Sequence, residues 1–217
     1  MEDIVLRLCI GLPPFLMAIV CHEAAHAWVA TRFGDPTAKQ MGRLSLNPSV
    51  HLDLFGTVIF PLISILMGGV MFGWAKPVPV DTRYFKDVRK SIFWVSFAGP
   101  GANIILGILS AFFLAFLVTK VPADFFLHKV LMDMFRQSVI INIILAVFNL
   151  IPFPPLDGSK MVSTFLSYHQ QIKYEELQRF SLLFFIVLMY TGALSVVINP
   201  ALNMGNGLIR IFYQLLV

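Results

Sequence analysis

Charge is scarce in this chain, and so is cysteine. Only 13% of its 217 residues are Asp, Glu, Lys or Arg, while 58% are hydrophobic and 21 are Phe. Roughly a quarter of a soluble globular domain is charged, so this composition excludes a water-soluble globule and indicates an integral membrane protein. The 2 cysteines, Cys9 and Cys21, both lie in the first apolar run. They form no redox or metal-type pair, read as small residues of a helix core, and say nothing about compartment. A net charge of +4 raises nucleic acid as a partner, but the basic residues are spread along loops with no aromatic interleaving and no binding motif, which argues against it. The opening segment begins Glu2-Asp3 with a lone Arg7 and has no small-x-small cleavage site. No small residue immediately precedes Cys21, as a lipidated cysteine requires. The segment therefore reads as a retained transmembrane helix.

Apolar stretches recur near residues 4–30, 55–74, 91–119, 130–151 and 180–198, with a weaker one at 200–217. Each of the first five is about long enough to cross a hydrocarbon core of roughly 30 Å. The fold class this predicts is an all-α polytopic membrane protein, a single domain over 1–217 with five to six membrane-embedded helical segments. One segment is unlike the others: 55–74 carries Gly56, Pro61, Gly68-Gly69 and Gly73. Such a density of helix breakers predicts a re-entrant or broken segment. After it, Pro77 and Pro79 forbid a helix interior and predict a short extended stretch at 74–80. Its two readings are a sheet edge that holds substrate by strand addition and a connector on the membrane surface.

The chemistry starts at His22-Glu23-Ala24-Ala25-His26, at the end of the first apolar run. An ionisable residue at the centre of a membrane helix costs on the order of 2.5 to 3.5 kcal/mol, so three in five positions need a chemical reason. Residues i and i+4 face one side of a helix, and His22 and His26 can present two imidazoles to one Zn²⁺, with Glu23 as base on the water. The plainer alternative is two buried, hydrogen-bonded histidines. A second acidic site, Asp157, follows the apolar run 130–151 in Asn149-Leu150-Ile151-Pro152-Phe153-Pro154-Pro155-Leu156-Asp157-Gly158. If Asp157 is to complete the metal site, it must lie at the depth of the histidines. One of the three stretches between them must then fail to cross, and 55–74 is the suspect. That arrangement puts 11 basic residues on the histidine side and at most 4 on the other, which makes the histidine side cytoplasmic.

Two faces of small and polar residues complete the pattern. Gly99, Asn103, Gly107, Ala111 and Ala115 repeat every four residues, and Asn142, Ala146 and Asn149 share a face of the next stretch. Such stripes let helix backbones approach closely in lipid, and these two are expected to pack on each other and on the first helix.

The motif at 22–26, Ala98-Gly99-Pro100-Gly101-Ala102-Asn103, and the run Asn149 through Gly158 together resemble the site-2 protease family of intramembrane zinc metalloproteases, in a compact form without a PDZ or CBS domain. The resemblance implies one Zn²⁺ per chain held by His22, His26 and Asp157, with Glu23 catalytic. It also implies a membrane-protein substrate and a lipid bilayer as surroundings; the oligomeric state stays unknown. Asn103 and Asn149 are candidate oxyanion or substrate-binding residues, each with a plain helix-to-helix hydrogen bond as alternative. His51 is a further candidate, because His51-Leu52-Asp53 is similar to a histidine-x-aspartate of short family members. The expected location is the plasma membrane of a prokaryote, with the active site toward the cytoplasm. A membrane metal-binding transporter and a non-catalytic membrane scaffold are the competing functions; the first calls for acidic or histidine sites along a path across the bilayer, whereas the polar groups here gather near one side, and in the second the base Glu23 is superfluous.

Overall fold

A computed structural model describes residues 2–66 and 73–217, and among them every regular element is helical. In chain order the α-helices are α1 (Glu2–Arg32), the single turn α2 (Thr37–Gln40), α3 (Phe60–Leu66), α4 (Val88–Lys120), α5 (His128–Asn149), α6 (Asp157–Ser163), α7 (Tyr168–Glu175), α8 (Ser181–Tyr190) and α9 (Ala193–Leu216). A wide helical turn over Leu54–Ile59 leads into α3.

Among the described residues three helices, Val5–Arg32, Val88–Lys120 and His128–Asn149, are long and apolar enough to cross a membrane, and a fourth span exists if the bent pair Tyr168–Leu188 and Ala193–Leu216 is counted as one. The described residues thus hold three to four candidate spans, and the five to six membrane-embedded segments expected from hydropathy are not all matched by helices of spanning length. Two features account for the difference. The apolar helix Leu54–Ser64 is too short to cross. The run 180–198 is not one helix, because the chain turns between α8 and α9 at Gly192, whose φ of +68° suits glycine.

The centre of the expected re-entrant segment, including Gly68-Gly69, falls in 67–72 and lies outside the described residues. Its flanks are described, and they touch: the Trp74 N–H donates to the Gly56 carbonyl at 3.0 Å. The Thr57 hydroxyl donates to the Trp74 carbonyl at 2.9 Å. The chain that leaves at Gly56 is therefore back beside it at Trp74.

Local chemistry sets the long helices. Asp87 caps α4 by accepting from the Lys90 N–H at 3.0 Å, and Pro100 is accommodated within the helix. The small-residue stripe is the packing face of α4: Gly99, Asn103, Gly107, Ala111 and Ala115 are all buried. A Cβ placed on Gly107 would lie 3.7 Å from the Asn142 side chain of α5. Phe15, Ala18, Ile19 and Val20 of α1 form a buried cluster with Ile141 of α5 and Ala75. Since α4 and α5 run in opposite directions, the end of α5 and α6 return to the level of the α1 histidines.

Candidate metal centre

His22 and His26 stand one turn apart on α1, with ring centroids 4.7 Å apart and planes at 83°. Both are buried, at 7% and 8% exposure. Each ring is turned by an acceptor behind it. The Val95 carbonyl lies 2.6 Å from His26 Nδ1, and a carbonyl can only accept, so this ring carries its proton on Nδ1. Asn103 Oδ1 lies 2.6 Å from His22 Nδ1. The orientation of that amide is fixed, because Asn103 Nδ2 donates to the Ala18 carbonyl at 3.0 Å and to Asn142 Oδ1 at 2.8 Å. His22 therefore also carries its proton on Nδ1.

Both Nε2 lone pairs then project to the front, where Asp157 Oδ2 lies 3.1 Å from His22 and 3.2 Å from His26. Ligand atoms of these three residues all fall within 4.8 Å of one another. Three electron-pair donors at this distance repel unless protons or a cation sit among them. Two imidazole nitrogens and one carboxylate oxygen match the donor set of a zinc site that keeps a fourth position open. The other oxygen, Oδ1, faces Lys160 Nζ at 3.6 Å, which leaves Oδ2 alone toward the rings.

Two glycines make this convergence possible. On Gly99 of α4 a Cβ would fall onto Nε2 of both His22 and His26, so its absence keeps the front of the rings open for a cation. On Gly158 a Cβ would collide with the Leu150 and Ile151 carbonyls, so glycine lets α6 approach the end of α5 and bring Asp157 inward. In the sequence Gly99 read as a member of a packing stripe and of the motif Ala98–Asn103, without a role at the histidines. The available signal was its position one turn before Asn103, on the same helix face.

The remaining candidates are placed elsewhere. Asn103 sits behind His22 with both amide hydrogens committed, so it has none to offer an oxyanion. Asn149 donates to the Leu145 carbonyl of its own helix at 3.0 Å. His51 is fully buried, with Nε2 2.8 Å from the Ser45 carbonyl and Nδ1 without a partner among the described residues. Neither Asn149 nor His51 belongs to the three-residue cluster. Glu23, half-buried beside His22, accepts from the Val78 N–H at 2.9 Å through Oε2. The polar chain behind His22 also continues past what the sequence suggested. Asn142 Nδ2 donates to the Ser138 carbonyl at 2.9 Å, and the Ser138 and Ser110 hydroxyls pair at 2.7 Å.

This geometry meets an independent comparison: residues 11–138 and 127–192 match the family model described as "Peptidase family M50". The chain belongs to peptidase family M50, the site-2 proteases. This M50 chain is 37% identical over 210 residues to the protein named "Putative zinc metalloprotease YwhC" of Bacillus subtilis, covering 94% of the chain and 93% of that protein. It is 30% identical over 184 residues to "Putative zinc metalloprotease Rip2" of Mycolicibacterium smegmatis, covering 83% of the chain and 66% of that protein. No solved structure matches it. The M50 chain is a zinc metalloprotease and, with its apolar spans, an integral membrane protein.

Proposed function

We propose that this chain is an intramembrane endopeptidase that hydrolyses a peptide bond in or near the transmembrane segment of a membrane-protein substrate. It works as a single domain over 1–217 in the plasma membrane of a prokaryote, with its site toward the cytoplasm. The observation that carries this reading is the meeting of His22 Nε2 and His26 Nε2, on the spanning helix α1, with Asp157 Oδ2 at the start of α6. The excess of basic residues on the histidine side supports the orientation.

His22, His26 and Asp157 would hold one zinc per chain. When bound, zinc supplies a Lewis acid that polarises the scissile carbonyl and acidifies the attacking water. Asn103 and the Val95 carbonyl keep the two rings in the tautomer that offers Nε2. Glu23 takes the proton of the attacking water and delivers it to the departing amine. A substrate carbonyl inside a helix is already hydrogen-bonded and sterically screened, so cleavable segments carry helix-weakening residues near the cut.

The test is co-reconstitution of the purified protein with a tagged single-span membrane protein that has a Gly/Pro-weakened helix. Wild type produces a new fragment, and E23Q keeps its zinc and produces none. E23Q cleaving at the wild-type rate would reject the assigned base. Zinc flux across the vesicles without cleavage would favour a transporter.

A further inference from the structure

Residues 73–81 form no helix, yet they are tied down along their length. The Trp74 N–H donates to Gly56, the Lys76 N–H donates to the His51 carbonyl at 2.9 Å, and the Asp81 N–H donates to Asp35 Oδ2 at 2.8 Å. Asp35 is fully buried and accepts the Thr37 N–H at 2.9 Å with its other oxygen, which fixes it against the end of α1. Beneath this strap Ala75 packs into the cluster of Phe15, Ala18, Ile19 and Val20. Donors at 74, 76 and 78 follow the period of two of an extended chain, in which alternate N–H groups point to one edge. The neighbours of Val78 are Pro77 and Pro79, which have no N–H. The strap thus presents a single amide hydrogen over 77–79, and its acceptor is Glu23 Oε2 at 2.9 Å.

Anchors on both sides of Val78 are independent of Glu23, so the strap does not need this bond to stay in place. The side chain that gains is the glutamate. A Glu side chain has three rotatable bonds, and ordering it costs up to about 2 kcal/mol in rotamer freedom; a charge-assisted bond from a fixed backbone donor holds one rotamer. We infer that the Val78 backbone N–H is the positioning donor for the catalytic base. It fixes Oε2 of Glu23 and leaves Oε1, which has no protein partner among the described residues, as the oxygen that exchanges protons with water and the departing amine. This rests on the reading of Glu23 as base given above.

The direct test replaces the Val78 amide by an ester, using the α-hydroxy analogue of valine, which deletes the N–H and keeps the side chain. V78A, which retains the N–H, is the control, and V78P is a second route to deleting it. With the tagged single-span substrate in vesicles, the ester and V78P are expected to lower kcat about 10-fold or more. KM, zinc per chain and thermal midpoint should stay near wild type, and V78A should stay within about two-fold in kcat. In an E23D background, whose carboxylate is one methylene shorter, the ester should cost less than about two-fold more. Wild-type kcat in the ester variant alongside an inactive E23Q would overturn the inference and leave the base assignment standing. Loss of thermal midpoint with kcat unchanged would also overturn it, assigning the bond to the strap alone. Full activity in E23Q would reject the base assignment itself.

Discussion

Asn103 Oδ1 lies 2.6 Å from His22 Nδ1, on the side of the ring that faces away from Asp157. The same amide donates to Ala18 of α1 and Asn142 of α5, so one side chain of α4 joins three helices at the depth of the site. Interhelical hydrogen bonds within a bilayer are worth on the order of 0.6 kcal/mol each, too little to make this a stability device. Its consequence is orientation.

N103A is therefore expected to weaken zinc binding about 10- to 100-fold, the usual range for loss of a partner behind a metal-ligating histidine. Competition with a chelator of known affinity on the purified protein measures this. N142D, which keeps an acceptor for Asn103 Nδ2, should retain more affinity than N142L. Wild-type affinity in N103A would show that the amide does not hold the ring.

G99A places a methyl group where both Nε2 atoms face the carboxylate. The added carbon meets rigid, buried rings, and the expected result is loss of bound zinc by more than about 10-fold with the helices still formed. Metal analysis together with circular dichroism reads both quantities. G101A is the control in the same motif, since the nearest atoms to a Cβ there are those of the Phe97 ring, at 3.4 Å or more, an ordinary van der Waals contact. Zinc content in G99A equal to that in G101A would remove the open front from the account.

Orientation in the membrane is testable by labelling. With Cys9 and Cys21 replaced by Ser, a cysteine at the exposed Tyr84 position should react with an impermeant thiol reagent only from the cytoplasmic face. One at Phe126, 82% exposed between α4 and α5, should react only from the opposite face. Labelling of both from one face would contradict the count of crossings.

The histidine pair was legible because its geometry is local: an unbroken helix is enough to put residues 22 and 26 on one side. Asp157 lies 135 residues from His22, and no local pattern joins the two; the resemblance of the run Asn149 through Gly158 to the family implied it, and the crossing count only asked what topology would allow it. Hydropathy was less informative about spans, because an apolar run does not reveal that the chain turns at Gly192 or that α3 is short. Gly99 and Gly158 were present as small residues, but what a missing Cβ leaves room for depends on a partner helix that no single stretch encodes. The Val78 donor was invisible for a similar reason. A backbone N–H belongs to every non-proline residue, and only the folded path of the strap brings this one to Glu23.

Metal content and zinc-edge X-ray absorption of the purified protein test the central claim most directly. The expected result is one zinc per chain with nitrogen and oxygen ligands at about 2.0–2.2 Å, two of them imidazoles. D157A should remove one oxygen ligand and lower occupancy, and H22A should remove one imidazole. Zinc bound with the same ligands and occupancy in D157A would contradict the convergence of these three residues on one cation.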